Sequence, residues 1–277
     1  MELSKRLQAV VDLLDCHERV ADIGCDHGFV SIYLIESKKA SWCLAMDVNK
    51  GPLECAREHV IEKRLSTYIE TRLSDGATEI RFINDEPGNK KLEVEAALIA
   101  GMGGKLMIQI IQDSLNKFQS MEEFVLQPQS EIARVRQFVR KIGYHIAKED
   151  MILEDGKYYP MMKVVRGEYR TDFETKVPKH LNVKCIYKEE ESELKSDTSR
   201  GLKNEQLQKL FDEYGEYLLK EKHPVLLQYL KKEKELYQDI LNNLTQKNTE
   251  KSELRQKEIQ KKLKYINLGL EWFVYEM

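Results

Sequence analysis

The alternation of short apolar runs with helical patterns constrains the fold of this chain more than any other feature. Five runs rich in aliphatic residues predict strands, at residues 19–23, 41–47, 68–72, 96–100 and 124–127. Apolar residues at helical spacing predict helices beside these strands, at residues 3–14, 29–37, 52–64, 105–115 and 130–142. Repeated strand–helix units of this kind form a parallel sheet with helices on both faces.

An antiparallel hairpin is predicted to complete the sheet. Two extended runs, 144–153 and 158–165, are joined by Glu-Asp-Gly at 154–156, and Asp-Gly between apolar runs is a strong hairpin signal. A parallel sheet that ends in such a hairpin is typical of class I methyltransferases. We therefore predict an α/β fold whose Rossmann-like domain covers residues 1–167.

The last part of the chain has a different character. Residues 170–205 are polar and predict a poorly ordered or mobile connector, whereas the chain from Glu205 onward has almost no Gly or Pro. Apolar residues then recur at three- and four-residue steps in two runs, Leu226, Leu230, Tyr237, Leu241 and Leu244, and Leu254, Ile259, Leu263 and Ile266. Asn248 and Thr249 separate the runs. This pattern predicts an antiparallel helical hairpin, close to a coiled coil, in a second domain at 168–277.

Composition argues against several classes of protein. The five cysteines are odd in number and no pair has Cys-x-x-Cys spacing, so we expect neither a disulfide framework nor a metal site. No run of about 18 apolar residues occurs, so no segment is expected to span a membrane. Reduced cysteines and the lack of an apolar signal segment lead us to expect a cytoplasmic protein.

The turn after the first predicted strand combines glycines with carboxylates. A dinucleotide-binding loop needs Gly-x-Gly-x-x-Gly, but Asp26 takes the place of the middle glycine and Phe29 that of the third. Acids here would repel a pyrophosphate, whereas they suit a sulfonium cofactor with a free amino group. We therefore favour S-adenosylmethionine over NAD, with Asp22, Gly24 and Gly28 as cofactor-binding residues. A tight turn with incidental acids is the alternative.

Two further loops follow predicted strands and carry one acid each. Asp47 ends the second strand at a spacing typical of a carboxylate that accepts hydrogen bonds from ribose hydroxyls. Val48 and Asn49 follow it and are predicted to border the adenine. The loop after the third strand consists of Ser74, Asp75 and Gly76, and its acid can accept a hydrogen bond from the adenine amino group. The alternatives are a helix-capping Asp and an ordinary turn.

Glycines also follow the fourth predicted strand. Gly101 is a candidate for contact with the cofactor, and the candidates for contact with the substrate are Met102, Gly103 and Gly104. The Asn-Pro-Pro-Tyr sequence of amino-group methyltransferases is absent here, which argues against an N6-type mechanism. After the fifth strand, Gln127 and Pro128 are either substrate contacts or a helix-initiating turn.

Together these segments resemble the bacterial tRNA (adenine(22)-N1)-methyltransferases, the TrmK family. The resemblance rests on Asp-Ile-Gly-Cys-Asp-His-Gly at 22–28, Asp-Val-Asn-Lys-Gly-Pro-Leu at 47–53, Arg-Leu-Ser-Asp-Gly at 72–76 and Ile-Ala-Gly-Met-Gly-Gly at 99–104. It covers about residues 1–166 closely. It implies a class I fold, S-adenosylmethionine as cofactor and methyl transfer to N1 of an adenine, at position 22, in tRNA.

Two residues of the first loop are candidate catalytic residues. Methylation of N1 places positive charge on the adenine ring, and a nearby carboxylate would stabilise that charge. Asp26 is the candidate, because it is at the mouth of the cofactor loop and can also accept a proton from the exocyclic amine. His27 is a second candidate as a base, although a single His beside a turn is more often structural.

Basic residues are concentrated in the predicted helical region, although the whole chain has a net charge of −3. Between Lys220 and Lys264 there are twelve basic and seven acidic residues, an excess of five positive charges, and phosphate binding depends on such a local excess. Arg134 and Arg136 belong to a second basic cluster and are candidate substrate-binding residues. We expect tRNA as the partner and a monomer. Solvated helix faces with ion pairs are the alternative.

Three other functions stay open on the sequence alone. A nicotinamide-dependent oxidoreductase is disfavoured by the missing glycines and by acids at the phosphate position. A ligand-sensing coiled-coil protein would bind the cofactor without methylating any RNA. A methyltransferase for another RNA or a small molecule would share the sheet, but a small-molecule enzyme has less need of a basic helical region.

Overall fold

The computed structural model describes residues 3–86, 89–167, 196–245 and 250–274. The chain divides into two compact units, residues 1–169 and residues 170–277. Within the described ranges, no helix is both long and apolar enough to cross a membrane. The same residues contain no group of three or more His, Cys, Asp or Glu side chains arranged to hold a metal ion.

The first unit contains a seven-stranded sheet with helices around it. The strands of this unit, seven in the large sheet and two in a separate hairpin, are β1 (His17–Ile23), β2 (Ala40–Asp47), β3 (Ile69–Leu73), β4 (Phe82–Glu86), β5 (Asn89–Leu92), β6 (Ala96–Met102), β7 (Glu123–Pro128), β8 (Tyr144–Glu154) and β9 (Lys157–Arg166). Its helices are α1 (Lys5–Leu13), α2 (Phe29–Glu36), α3 (Lys50–Glu62), α4 (Gly104–Asp113), α5 (Leu115–Phe118) and α6 (Ile132–Lys141).

The order of strands in the large sheet is β3-β2-β1-β6-β7-β9-β8. Strand β9 runs antiparallel to both of its neighbours, and the other pairs are parallel. The predicted α/β fold, a parallel sheet completed by an antiparallel hairpin, is confirmed.

The register of the strands brings the predicted motif loops to one edge. Ile23 pairs with Met46 on one side and with Ile99 on the other, and Asp47 pairs with Leu73. The loops that follow β1, β2, β3 and β6 therefore lie side by side at the carboxyl edge of the sheet. Sheets of this kind bind ligands at that edge.

Apolar side chains cover both faces of the sheet. On β1, Ala21 and Ile23 belong to one apolar cluster and Val20 to another. Because successive strand residues point to opposite faces, this division means that the sheet is buried on both sides. A strand buried on both sides has few solvent-facing positions, which explains why the sequence showed continuous apolar runs.

One hairpin was not predicted. Strands β4 and β5 pair antiparallel outside the large sheet, and their polar residues gave no apolar run. Arg72 on β3 makes a 2.5 Å hydrogen bond to Glu93, the residue after β5, and both side chains are buried. A buried ion pair therefore ties the end of the hairpin to the sheet, and Leu92 and Val94, on either side of Glu93, are buried in an apolar cluster.

The described part of the second unit contains helices α7 (Ser196–Tyr214), α8 (Glu216–Lys220), α9 (Pro224–Thr245) and α10 (Glu250–Glu271). Near one end of the α9–α10 pair, Gln256 Nε2 donates a 3.0 Å hydrogen bond to the carbonyl of Leu244. Farther along, Gly269 packs against Leu230. These contacts make the two helices antiparallel, so the predicted helical hairpin is confirmed.

The predicted connector is wrong over its last residues. Residues 196–205 belong to α7 although they include Gly201 and several Ser, Asp and Asn residues, which are poor helix formers. Leu207, Leu210 and Phe211 are buried farther along the same helix, and such packing stabilises a helix more than residue propensity does. The remainder of the predicted connector, 170–195, lies outside the described residues.

The predicted apolar stripe of the helical hairpin needs one correction. Ile259 and Ile266 are buried, but Leu254 is 61% exposed. It follows the start of α10 by four residues, where the helix pair ends and less surface is available to cover it. The predicted break at Asn248 and Thr249 lies outside the described residues.

Candidate functional site

A cavity of about 450 Å³ lies at the carboxyl edge of the large sheet. Many of the predicted site residues line it, from all four strand-end loops: Asp22, Gly24, Asp26, His27, Asp47, Val48, Asn49, Ser74, Asp75, Gly76, Gly101 and Met102. The volume is in the range of small-molecule sites. The fold therefore brings residues from separate motifs around one space of ligand size.

The two glycines of the first loop have different surroundings. Both have positive φ, 78° at Gly24 and 75° at Gly28, a conformation that L side chains rarely adopt. A Cβ at Gly24 would lie 2.1 Å from Cε of Met102, which also lines the cavity. A Cβ at Gly28 would lie 2.9 Å from Cβ of Ala56. Gly28 thus allows α2 to pack on α3 and does not line the cavity.

Asp22 is a buried carboxyl group in the cavity wall. It is 5% exposed and accepts a 2.6 Å hydrogen bond from Ser31 Oγ. Burial raises the pKa of Asp22 to about 6, the carboxylates of Asp47 and Asp26 add to the rise, and the Ser31 hydrogen bond opposes it. A positively charged ligand would stabilise the ionised form of this side chain.

Asp47 fixes the first loop from the neighbouring strand. Its Oδ2 accepts a 3.2 Å hydrogen bond from Asp26 N, and its Oδ1 accepts a 2.8 Å hydrogen bond from Asn49 N. A carboxylate oxygen can accept more than one hydrogen bond, so Asp47 can still accept from a ligand. Asn49 is the N-cap residue of α3, and the alternative that Asp47 caps this helix therefore does not apply.

The two candidate catalytic residues differ in how exposed their side chains are and in the contacts that they make. The Asp26 side chain is 72% exposed, and its Oδ1 lies 3.6 Å from His27 Nε2. The His27 ring stacks on Phe29 with 5.8 Å between centroids, and the His27 carbonyl contacts His59 Nδ1 at 2.9 Å. Asp26 is therefore an accessible carboxylate at the cavity, whereas His27 is part of a ring stack.

The loop after β3 is shaped by its own serine. Ser74 Oγ donates a 2.8 Å hydrogen bond to the Gly76 carbonyl and accepts a 3.2 Å hydrogen bond from Glu79 N. Ser74 N donates to the Asp47 carbonyl at 2.9 Å. These contacts hold the loop beside the end of β2 and place Asp75 at the cavity next to Asp47.

Four predicted substrate contacts near the ends of β6 and β7 do not line the cavity, namely Gly103, Gly104, Gln127 and Pro128. A Cβ at Gly104 would lie 2.4 Å from the carbonyl oxygen of Ser130, and one at Gly103 would lie 3.2 Å from the Ser130 hydroxyl. The two glycines therefore let α4 begin close to the loop after β7. Pro128 is the last residue of β7 and is likewise absent from the cavity lining.

The two predicted substrate-binding arginines of α6 point in different directions. Arg136 is buried and its Nε donates a 2.8 Å hydrogen bond to Glu149 Oε1. The buried face of α6 also contains Val135 and Val139, and helical spacing places Arg136 on that face. The predicted substrate contact of Arg136 is therefore not supported. Arg134 is exposed and pairs with Glu131.

Several residues that line the cavity were not predicted, namely Arg6, Leu7, Ile23, Cys25, Phe29, Val30, Ala100, Leu106, Ile110 and Gln129. Arg6 belongs to α1, whose sequence showed only an amphipathic pattern. Its Nη1 donates a 2.7 Å hydrogen bond to Oε1 of Gln127, which is fully buried behind the cavity wall. Residues 6 and 127 share no local motif, so no sequence signal joined them.

The basic surplus of the second unit is only partly available to a partner. Lys262 Nζ lies 3.3 Å from Glu213 Oε2 and near the ring of Tyr214, and Lys220 pairs with Glu216. These cations contribute to helix packing. The exposed basic residues of α9 and α10 are Lys231, Lys232, Lys251, Arg255, Lys257 and Lys261.

Sequence comparison finds relatives that match the first unit. The sequence model of a family described as a methyltransferase domain matches residues 3–162. Over 168 residues, the chain is 33% identical to the tRNA (adenine(22)-N(1))-methyltransferase of Bacillus subtilis. That alignment covers 61% of this chain and 67% of the B. subtilis protein.

Solved structures match almost the whole chain. The crystal structure of the B. subtilis m1A22 tRNA methyltransferase TrmK is 26% identical, with a TM-score of 0.72, over 97% of this chain and 99% of that chain. The structure of M. capricolum TrmK in complex with S-adenosyl-homocysteine is 22% identical, with a TM-score of 0.71, over 98% of this chain and 99% of that chain. At 22% identity the second likeness concerns the fold alone.

Proposed function

Because this chain belongs to the methyltransferase domain family and, within it, to the tRNA (adenine(22)-N1)-methyltransferases, we propose that it transfers a methyl group from S-adenosylmethionine to N1 of adenine 22 in tRNA. The observation that carries this proposal is the convergence of Asp22, Asp26, Asp47 and Asp75 on one cavity. Carboxylates suit a sulfonium cofactor with amino and hydroxyl donors, and they repel a nucleotide pyrophosphate.

The residues that line the cavity fit S-adenosylmethionine. Asp22 is suited to the amino group of the methionine part, Asp47 to the ribose hydroxyls and Asp75 to the adenine amino group. Val48, which is exposed at the cavity, offers an apolar surface to the adenine ring, with Asn49 beside it. When bound, the cofactor supplies an electrophilic methyl group on its sulfonium sulfur.

Asp26 is the proposed catalytic residue. Its accessible carboxylate stabilises the positive charge that develops on the adenine ring as N1 is methylated, and it can accept a proton from the exocyclic amine. N1 faces its pairing partner in a helix, so the target base must leave its stack to reach the cavity. The His27 ring, next to Asp26, offers a flat surface on which an unstacked base can rest.

Within this proposal, residues 1–167 bind the cofactor and catalyse the reaction, and residues 168–277 bind tRNA phosphates. Lys231, Lys232 and Lys257 are among the exposed cations of the helical unit. Phosphate binding sums many such weak contacts and weakens with salt. Arg134 adds an exposed cation to the first unit. We further propose that the protein acts as a monomer in the cytoplasm, where its cofactor and tRNA are present.

Methyl transfer to tRNA transcripts tests the proposal. Radiolabelled S-adenosylmethionine would be incubated with one transcript that has adenine at position 22 and one that has guanine there. We expect N1-methyladenosine in the first product only. Asp26→Asn should lower the rate about 10²–10³-fold while cofactor affinity changes little. Asp12→Asn, an exposed residue of α1, is the matched control. Cofactor binding without labelling of any tRNA would contradict the proposed function.

A further inference from the structure

Two glutamines, one near the end of β7 and one directly after it, differ in how their side-chain amides are used. Gln127 is fully buried, and its Oε1 accepts hydrogen bonds from Arg6 Nη1 at 2.7 Å and from Gly101 N at 3.1 Å. Its Nε2 donates to the Pro128 carbonyl at 3.3 Å. Gln129 is exposed and lines the cavity. Among the residues that the structure describes, none forms a hydrogen bond with its side-chain amide.

The backbone on both sides of this free amide is fixed to the loop after β6. Gln129 N donates a 2.8 Å hydrogen bond to the Met102 carbonyl, and Gly104 N donates a 3.1 Å hydrogen bond to the Ser130 carbonyl. A Cβ at Gly101 would lie 3.8 Å from Gln129 Nε2, so the absence of a larger side chain at Gly101 leaves space beside the amide. Gln129 therefore presents an unused donor and an unused acceptor to the cavity from a fixed backbone.

The order of the strands separates Gln129 from the proposed catalytic carboxylate. Asp26 follows β1 and Gln129 follows β7, and β6 lies between these two strands. Because neighbouring strands lie about 4.8 Å apart, the two side chains originate from strand ends that are about 10 Å apart. Both side chains line the same cavity. A base that enters the cavity can therefore contact Asp26 along one edge and Gln129 along another.

Methylation at N1 limits the edge by which the protein can recognise adenine. The N1 lone pair must face the methyl group, so N1 cannot accept a hydrogen bond from the protein during transfer. The N6–H and N7 groups stay available, and they present one donor and one acceptor. A carboxamide has an acceptor oxygen beside a donor nitrogen, and glutamine pairs with adenine in this way. Guanine has acceptors at both positions, so the same amide would make at most one of the two hydrogen bonds.

We propose that Gln129 recognises the target adenine, with Oε1 accepting a hydrogen bond from N6–H and Nε2 donating one to N7. The inference rests on the proposed function and adds to it a residue that determines specificity. The second N6 hydrogen points toward the N1 side of the ring, where Asp26 can accept it. The cofactor is the other ligand that the amide could contact. Asp22, Asp47 and Asp75, on other loops, already suit the polar groups of the cofactor, which favours the target base as the partner of Gln129.

Replacement of one ring atom of the target base tests the inference. Methyl transfer would be measured on tRNA transcripts with adenine or 7-deazaadenine at position 22, because the analogue lacks the N7 acceptor and keeps N1 and the amine. Wild type should have a kcat/KM about tenfold lower for the analogue. Gln129→Met should lower kcat/KM for the adenine transcript about 10- to 100-fold, and the analogue should then cost less than about twofold more. Affinity for S-adenosylmethionine, measured by calorimetry, should not change.

A second variant gives a result that a loss of structure cannot produce. The carboxylate of Gln129→Glu can accept a hydrogen bond from N6–H but repels the lone pair of N7. This variant should therefore methylate the 7-deazaadenine transcript faster than the adenine transcript. Gln112→Met is the matched control, because it makes the same change at an exposed position of α4 outside the cavity lining. It should behave as wild type with both transcripts.

Three outcomes would overturn the inference. The first is a 7-deazaadenine penalty that is equal in wild type and in Gln129→Met, because Gln129 would then make no contact with N7. The second is a weaker affinity of Gln129→Met for S-adenosylmethionine, which would assign the amide to the cofactor. The third is a Gln129→Glu variant that still prefers adenine. A wild-type chain that methylates neither transcript would overturn the proposed function itself.

Discussion

Buried carboxyl groups at the two edges of the large sheet have pKa values that are shifted in opposite directions. At the amino edge, Glu123 is 3% exposed and lies 3.0 Å from His17 Nε2 and 2.6 Å from Lys163 Nζ. Burial alone would raise the pKa of Glu123, but hydrogen bonds from His17 and Lys163 outweigh it and hold the pKa below its usual value. At the carboxyl edge, burial and neighbouring acids raise the pKa of Asp22 to about 6.

This difference indicates that the paired charges at the amino edge stabilise the fold, whereas the acids at the carboxyl edge are placed to bind a ligand. The charges of the amino edge neutralise one another within the chain. The carboxyl edge concentrates acids around a cavity, where their repulsion costs stability until a cation binds. A buried carboxyl group with a raised pKa, in a cavity lined by other acids, is typical of functional sites. We therefore expect substitutions at the amino edge to change stability and substitutions at the carboxyl edge to change ligand binding.

The largest expected effect on stability is at the amino edge. Glu123→Gln should lower the free energy of unfolding by about 3 kcal/mol, because it leaves Lys163 and His17 largely buried without their shared carboxylate. Urea unfolding would measure the loss, and cofactor affinity should not change. Glu122→Gln, at an exposed neighbouring carboxylate, is the control and should cost little. A Glu123→Gln variant that kept its stability but bound the cofactor poorly would contradict the structural role of the amino edge.

A smaller effect, of the opposite kind, is expected at the carboxyl edge. Asp22→Asn should weaken S-adenosylmethionine binding about tenfold, because a charged hydrogen bond contributes roughly 1.5–3 kcal/mol. The amide can still accept the hydrogen bond from Ser31 Oγ, so the fold should be retained. Calorimetry and urea unfolding at pH 8 would show lower affinity with unchanged or increased stability. A large loss of stability would place Asp22 with the structural charges instead.

The pH dependence of stability and of cofactor affinity, compared between wild type and Asp22→Asn, tests the role of Asp22 further. The raised pKa means that Asp22 contributes stability that is fully present below its unfolded pKa of 3.8 and is lost as pH rises through about 6. Cofactor binding should show the opposite trend, because the ionised form binds the cation. Wild-type affinity should therefore fall, by at most about tenfold per pH unit, as pH falls below 6. Asp22→Asn should remove most of both dependences.

The smallest expected effect concerns His17. Its hydrogen bond to Glu123 raises its pKa above the ordinary value of 6.5, against the effect of burial. The stabilisation is therefore fully present below pH 6.5 and is lost as pH rises through the raised pKa. His17→Gln should lower the free energy of unfolding by about 1 kcal/mol at pH 6, and by less at pH 9. A difference between wild type and variant that is the same at both values would exclude a protonated His17.

The elements of the first unit were predictable because their signals are local. Strands β1, β2, β6 and β7 are covered on both faces, and each therefore appears in the sequence as a continuous apolar run. The acids Asp22, Asp47 and Asp75 were recognisable because each belongs to a short motif at the carboxyl end of a strand. Hairpin β4–β5 was missed because its strands are short and mostly polar, and the apolar residues Phe82 and Ile83 are exposed. Leu92, at the end of β5, is buried in the apolar core beside the Arg72–Glu93 ion pair.

The sequence by itself determined the order of the strands and helices around the large sheet, the β8–β9 and α9–α10 hairpins and the loops that meet at the carboxyl edge, because periodicity and turn residues are read within a few positions of the chain. Only the tertiary structure decided which side chains those loops and helices direct to the cavity. Arg6 and Arg136 both lie on amphipathic helices, yet one lines the cavity and the other is buried against Glu149. The direction of such a side chain depends on how its helix packs against residues more than a hundred positions away in the case of Arg6 and Gln127, and no local pattern contains that information.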